Sequence, residues 1–124
     1  MGRRAPQPSP APRPEIAASW ARSSRSGVHG DVLAPPVSAG TDPGGRLTNL
    51  AAPVLNRLAS TLADTRTTVV LTDARAGVLD RRAGTRPLAD LLDEIGLMPG
   101  YSYAEDVVGT NGMGTAAEER RAVR

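Results

Sequence analysis

The amino-acid sequence predicts a small α+β domain with an incomplete sheet, and three observations point to it. Apolar residues recur at three- and four-residue steps over residues 47–62, as on one face of an amphipathic helix. Residues 67–73 and 78–82 are short extended runs joined by a turn at Gly77, as in a β-hairpin. Two strands do not make an independently stable sheet, so we expect its remaining strands to be missing. At 124 residues the chain is predicted to form one compact domain, which excludes a multidomain enzyme.

The composition argues against most enzymatic and metal chemistry. The chain has no Cys, so disulfide scaffolds, thiolate metal sites and cysteine nucleophiles are excluded. A single His, His29, makes His-rich metal sites and Ser-His-Asp catalysis poor candidates. Neighbouring carboxylates on a helix do not face each other, so we interpret three acidic pairs as solvated surface: Asp93 with Glu94, Glu105 with Asp106, and Glu118 with Glu119. We therefore predict that the chain is not an enzyme and binds no cofactor or metal.

The excess of basic charge lies at the N-terminus. Residues 1–26 hold five Arg and one Glu, a net charge of +4, whereas residues 27–124 hold ten Arg and twelve acidic residues, a net charge of −2. Prolines alternate with other residues over 1–13, which favours extended polyproline II structure, so we expect a disordered Pro/Arg-rich tail there. Such a tail is either simply solvated or an arm for nucleic-acid phosphates.

No feature of the sequence indicates a membrane or an export signal. No apolar run approaches the roughly 18 residues that a membrane-spanning helix requires. Arg3 and Arg4 are followed by prolines and not by the apolar region of an export signal. We therefore predict a cytoplasmic protein that does not contact a membrane.

The N-terminal region, residues 14–45, is predicted to contain one helix and a loop. Pro14 suits a first helical position, and Ile16, Trp20 and their alanine neighbours share one helical face before Gly27 ends the run. This spacing predicts a helix over residues 14–25, with Trp20 as its core or docking anchor. Residues 27–45 are rich in Gly and Pro and lack periodicity, which predicts a loop.

The region from residue 46 onward is predicted to begin with the main helix. Because Pro53 interrupts the periodic run of 47–62, we expect a kink or a restart there. The hairpin follows, with Arg81 and Arg82 at the outer end of its second strand. A short amphipathic helix is predicted from residue 87 to Ile95, with Leu91 and Leu92 inward and Gly96 as its end.

The last 23 residues are predicted to hold a short helix and a glycine-rich turn. Ser102 with Glu105, and Thr115 with Glu118, have capping-box spacing, which predicts a helix over 103–108 and a second helix start at 115. Residues 122–124 suit the start of a strand. Residues 109–114 match neither a Walker loop, which needs a Lys, nor the Gly-x-Gly-x-x-Gly order of dinucleotide sites. We interpret them as a tight turn capped by Thr110 and Asn111, with the same loop lining a pocket.

Three segments of the chain resemble a known family. They are residues 13–23 (RPEIAASWARS), 71–82 (LTDARAGVLDRR) and 103–116 (YAEDVVGTNGMGTA). All three resemble the N-terminal sensory region of bacterial acetoin- and glycerol-metabolism transcription regulators, which are GAF-domain proteins with a Fis-type helix-turn-helix. The resemblance implies an incomplete GAF-like domain over residues 46–124, with N-terminal helices followed by a β-hairpin and short helices.

The resemblance also implies a function. A GAF domain of such a cytoplasmic regulator senses a small-molecule effector, and DNA is bound only through a C-terminal module that this chain lacks. Full-length relatives are expected to be homodimers. The residues that we place near the effector pocket are Tyr103, Glu105, Thr110, Asn111 and Met113. The alternative is a stand-alone module that binds protein or nucleic acid through its Arg-rich tail.

Overall fold

Helices surround a two-stranded sheet in the computed structural model of the chain, which describes residue 2, residues 5–28 and residues 35–124. The described elements are, in order, α1 (Pro14–Arg25), α2 (Arg46–Leu62), β1 (Thr68–Thr72), β2 (Val78–Ala83), α3 (Arg86–Glu94), α4 (Glu105–Val108) and α5 (Gly112–Glu119). The structure therefore confirms an α+β architecture. Nowhere in the described residues is there a helix long and apolar enough to cross a membrane.

Helix α1 has the predicted bounds but not the predicted buried face. Pro14 occupies its first turn, and Gly27, with φ of +80°, follows its end. The residues that α1 buries are Ser19 and Ser23, whereas Trp20 is 55% exposed. The prediction that Trp20 is a core residue is therefore wrong. The physical reason is that α1 packs against α4 and α5, whose facing groups are polar.

Helix α2 runs through Pro53 as one helix, so the predicted restart is wrong. Pro53 lies on the exposed side of α2, where water can satisfy the carbonyl that loses its helical partner. Helix α2 packs across both strands of the hairpin, and Leu55 is its buried residue. The apolar stripe of Leu47, Leu50, Val54 and Leu58 remains exposed.

The predicted hairpin is confirmed. Strands β1 and β2 pair antiparallel, with Val70 opposite Arg81 and an irregularity between Leu71 and Thr72. In the turn, Asp73 Oδ1 accepts hydrogen bonds from the backbone N–H groups of Arg75 and Gly77, both at 2.9 Å. The buried apolar residues lie on or against this hairpin: Leu55, Ala76, Val78, Leu79 and Leu92.

Helix α3 corrects two side-chain predictions. Leu92 is buried as expected, but Leu91 is 52% exposed. Arg81 does not project into solvent at the end of β2. Its guanidinium donates to the carbonyl of Leu97 at 2.5 Å and pairs with Asp93 Oδ1 at 2.6 Å. Asp93 lies in the last turn of α3 and Leu97 lies three residues beyond the helix, in the region where the helix dipole favours a cation.

Three predictions about the C-terminal region are wrong. Helix α4 is preceded by Ala104 with no side-chain cap, and the Glu105 side chain turns to other partners described below. Helix α5 begins at Gly112 and not at Thr115, because Asn111 supplies its cap. Residues 122–124 form no strand in the structure. Both capping-box patterns are thus outcompeted by stronger local and tertiary hydrogen bonds.

Candidate functional site

Asn111 organises the glycine-rich turn between α4 and α5. Its Oδ1 accepts from the backbone N–H groups of Met113 at 3.1 Å and Gly114 at 2.9 Å, which caps α5 as predicted. Its Nδ2 donates to the carbonyls of Tyr103 at 2.7 Å and Gly109 at 3.0 Å. The amide thereby ties both sides of the turn together, and its two donor hydrogens and its carbonyl oxygen are all engaged.

Two glycines of this turn are required by geometry. Gly109 has φ of +83°, a conformation that other residues rarely adopt. At Gly114, an added Cβ would lie 2.4 Å from the carbonyl oxygen of Tyr103. The tight turn predicted for this segment is therefore confirmed. The predicted cap by Thr110 is wrong, because the Thr110 hydroxyl pairs with Ser19 and the cap of α5 comes from Asn111.

A buried polar cluster joins α1 to α4 and α5, and we name it the Glu105 cluster; its members are Ser19, Arg22, Glu105, Thr110 and Thr115. Arg22 Nε donates to Glu105 Oε2 at 2.7 Å, and Arg22 Nη2 donates to Oε1 at 3.1 Å. Thr115 Oγ1 donates to Glu105 Oε1 at 2.7 Å and lies 3.2 Å from Ser19 Oγ. Ser19 Oγ is in turn 2.6 Å from Thr110 Oγ1. The cluster links residues more than eighty positions apart.

The electrostatics of the cluster favour an ionised carboxylate. Glu105 is 2% exposed, and burial alone would raise its pKa. Hydrogen bonds from Arg22, Ser19 and Thr115 outweigh burial and hold the pKa of Glu105 at about 2. The hydrogen bond to Glu105 raises the pKa of Arg22 above its ordinary value. Both groups are therefore charged at neutral pH.

The interpretation of Glu105 as solvated surface is wrong, while its neighbour Asp106 is exposed. Sequence reasoning also missed Ser19, Arg22 and Thr115. A signal was present in α1, where Ser19, Arg22 and Ser23 recur at the three- and four-residue spacing of one helical face. A stripe of small polar residues on a short helix can thus mark the buried side.

Two open clefts adjoin each other along α5 and share Asp73, Ala74, Ala117 and Glu118 in their linings. One, named here the β1–α5 groove, has a volume of about 960 Å³. Its lining includes the strand residues Val70 and Thr72 and the helix residues Met113 and Ala116. The other cleft, of about 420 Å³, is lined by the Asp73 turn, by residues near Glu105 and by Glu118. The lining also includes Asp73, Glu118, Arg120 and Arg121, so the β1–α5 groove combines apolar surface with polar and charged groups, which suits a small organic molecule that has both apolar and polar parts.

The five predicted pocket residues do not surround one cavity. Met113 lines the β1–α5 groove, and Glu105 lines the smaller cleft. Thr110 and Asn111 border a third, small pocket of about 170 Å³ near the start of α1. Tyr103 supplies its carbonyl to Asn111, and burial raises the pKa of its phenol. Contact of these residues with an effector stays a prediction.

Metal binding finds no support in the described part of the chain. No group of three His, Asp or Glu side chains there has an arrangement that could hold an ion. His29, considered above as an isolated histidine, lies outside the described residues.

Comparison with known proteins places this geometry in context. The model of a family described as "MimR, N-terminal domain" matches residues 4–124. The chain is 45% identical over 105 residues to a protein of Mycolicibacterium goodii and 46% identical over 103 residues to one of Mycolicibacterium smegmatis. Both are named propane 2-monooxygenase operon transcriptional activator MimR. The matches cover 85% and 83% of this chain but 18% of each relative.

A solved structure shares the fold. The crystal structure of the E. coli DhaR(N)-DhaL complex matches with a TM-score of 0.70 over 90% of this chain and 40% of that chain, at 24% identity. At this identity the likeness shows a common fold. The two relatives are named as transcriptional activators, in agreement with the prediction that the chain is not an enzyme.

Proposed function

We propose that this chain, which belongs to the family of MimR N-terminal domains, is the sensory region of a transcription regulator that responds to a small-molecule effector. The observation that carries the proposal is the family match over residues 4–124 together with two relatives that are named as activators. The order of helices, hairpin and short helices, with the likeness to DhaR(N), supports an incomplete GAF-like domain. Action on transcription implies a cytoplasmic location.

The chemistry of the effector follows from the groove and from the relatives' name. The enzyme in the relatives' name, a propane 2-monooxygenase, oxygenates the second carbon of propane, and the direct product of that step is propan-2-ol. In the β1–α5 groove, Val70, Met113 and Ala116 offer apolar surface, and Thr72 offers a hydroxyl. Asp73, Glu118, Arg120 and Arg121 also line the groove and can bond to a polar oxygen atom. We therefore propose a small alcohol, or the ketone related to it by oxidation, with a few carbon atoms as the effector class.

The predicted pocket residues divide into two roles under this proposal. Met113 contacts the effector, because it lines the groove. Asn111 and Glu105 position the segment that carries Met113, since their polar atoms are engaged by internal partners. Tyr103 and Thr110 support them through the Tyr103 carbonyl and the Thr110 hydroxyl.

Partners are proposed for the full-length regulator and not for this chain alone. DNA binding through a Fis-type C-terminal module and a homodimeric assembly follow from the family resemblance. The E. coli neighbour was solved with DhaL, which adds a protein partner as a further class. The exposed apolar stripe on α2 supports protein contact of this kind.

The alternative of a nucleic-acid module acting through the Arg-rich tail gains no support. Two of the five arginines counted in residues 1–26 are engaged elsewhere. Arg22 is held in the Glu105 cluster, and Arg13 lies 3.5 Å from Glu15. Because the net charge of +4 counted for residues 1–26 already includes Glu15, only the pairing of Arg22 with Glu105 lowers the charge available to phosphates.

The proposal is tested by titrating the full chain with propan-2-ol, acetone and acetoin while backbone amide chemical shifts are recorded. We expect saturable shifts at residues of β1 and α5 with at least one of the three. Ala116→Leu, which places a larger side chain next to Met113 on the wall of the groove, should abolish them, whereas Ala63→Leu adds the same atoms at an exposed site and should not. Shifts that persist in Ala116→Leu, or no saturable shift with any of the compounds, would contradict the proposal.

A further inference from the structure

Helix α1 is attached to the rest of the described chain by an unusually polar contact. Its buried residues are Ser19 and Ser23, with exposures of 0% and 5%, and its largest apolar residue, Trp20, faces outward. Arg22 supplies the charged contacts, to Glu105 and to Glu119. The attachment therefore depends on donor and acceptor geometry far more than on apolar burial, and such a contact responds steeply to small displacements.

Helix α5 has two functional faces. Met113 and Ala116 lie on the side that lines the β1–α5 groove. Thr115 and Glu119 lie on a neighbouring side and hold α1 through Glu105 and Arg22. A helix turns about 100° per residue, so the centres of these two pairs of positions are about 110° apart around the helix axis. Any displacement of α5 by an occupant of the groove therefore changes the distances between α5 and the groups that hold α1.

We propose that α1 is a detachable clasp whose docking on the Glu105 cluster reports whether the β1–α5 groove is occupied. The inference rests on the proposed function, in which the groove holds the effector. A shift of α5 lengthens the 2.7 Å bond from Thr115 to Glu105 and the 3.2 Å contact from Arg22 to Glu119. A buried carboxylate that loses its hydrogen-bond donors is strongly disfavoured. Helix α1 therefore detaches from the Glu105 cluster and does not stay docked with lengthened hydrogen bonds.

Release of α1 has a specific consequence. It exposes the Glu105 cluster and frees Trp20 from its place beside Val28, Val108 and Gly109. The hairpin and α2 are not disturbed, because their core residues, Leu55, Val78 and Leu79, lie outside the contact with α1. A part of the chain that opens while the rest stays folded is the kind of element on which a switch can be built.

The first experiment tests whether α1 detaches independently. Trp20 is the only tryptophan, so its fluorescence emission reports α1 alone, while far-UV circular dichroism reports the whole chain. Urea titrations compare Arg22→Gln with Arg25→Gln, an exposed arginine of the same helix that contacts only the Ala21 carbonyl in the structure. We expect the Trp20 transition of Arg22→Gln to precede the circular-dichroism transition, and the two to coincide in Arg25→Gln. Coincident transitions in Arg22→Gln would overturn the clasp.

The second experiment tests the link to the groove without any ligand. Amide hydrogen exchange of the full chain is compared between Ala116→Leu, which adds bulk to the groove face of α5, and the exposed control Ala63→Leu. We expect exchange in α1 to become at least tenfold faster in Ala116→Leu, with β1 and β2 unchanged. Unchanged or slower exchange in α1, or equal acceleration in the strands, would overturn the coupling.

Amide hydrogen exchange of Thr115→Val tests the detachment of α1 by a second substitution. It removes one donor to Glu105 with little change of side-chain volume, and α1 should again exchange faster than the strands. Failure of the effector proposal would appear as absent binding in the titrations above. It would leave these exchange results intact, so the two failures are distinguishable.

Discussion

Adding one methyl group at Gly114 tests whether close packing of α5 holds the glycine-rich turn. The new Cβ would lie 2.4 Å from Tyr103 O, 2.9 Å from Asn111 Nδ2 and 3.0 Å from Glu105 N. Two of these atoms belong to the backbone, so relief requires α5 to move away from α4. Overpacking of this kind costs about 1–3 kcal/mol, and the better helix propensity of Ala returns about 1 kcal/mol. We expect Gly114→Ala to lower the free energy of unfolding by about 1 kcal/mol.

Gly112 supplies the matched control in the same helix. A Cβ at Gly112 meets no atom within 4 Å, and its φ is not positive. Gly112→Ala should therefore raise the free energy of unfolding by about 0.5–1 kcal/mol. Urea denaturation followed by circular dichroism measures both variants, and a loss of about 1 kcal/mol corresponds to a midpoint lower by about 0.5 M. If Gly114→Ala were as stable as Gly112→Ala, the close approach of α5 to Tyr103 would not exist in solution.

Three further predictions concern polar groups of the described chain. Asn111→Ala should lower the free energy of unfolding, measured by urea denaturation, by about 2–3 kcal/mol, because it removes the α5 cap and two hydrogen bonds to carbonyls. Asn111→Asp should restore the cap but not the two bonds to carbonyls. Glu105 has a pKa of about 2 when folded against an ordinary 4.5, so its contribution of about 3 kcal/mol is complete above pH 4.5 and is lost as pH falls toward 2. Glu105→Gln should flatten this acid limb, and an unchanged pH profile of stability would refute the assignment. Thr85→Ala should cost about 1 kcal/mol because Thr85 caps α3, and Thr61→Ala, at an exposed site within α2, should change thermal stability little.

The helices and the hairpin could be predicted because their causes are local. Leucines at helical spacing define α2, β-branched residues define β1, and the Asn111 cap follows from the affinity of a short amide for free N–H groups. Pro53 misled the prediction only because its tolerance depends on which side of α2 faces solvent. Local patterns thus determine elements well and their orientation poorly.

The Glu105 cluster could not be predicted because its partners are distant in sequence and individually ordinary. A glutamate beside an aspartate is usually solvated. The Glu105 carboxylate can be buried because Arg22, 83 residues earlier in the sequence, pairs with it. The same approach turns Trp20 outward, against its usual preference for the interior. Tertiary pairing of charges therefore decides the orientation of α1.

The small core explains why the chain relies on such pairing. Aromatic residues make up 2% of the sequence and Phe is absent, and the buried apolar residues are few and lie at the hairpin. Elements beyond the hairpin have little apolar surface to bury, so their attachment depends on hydrogen bonds and ion pairs. These interactions add modest net stability and require specific distances and angles between the partners. An element held in this way is easily released by a displacement of its partner. For a sensory region that property is useful, because a small effector supplies only a few kcal/mol, enough to shift a polar clasp but not to unfold an apolar core.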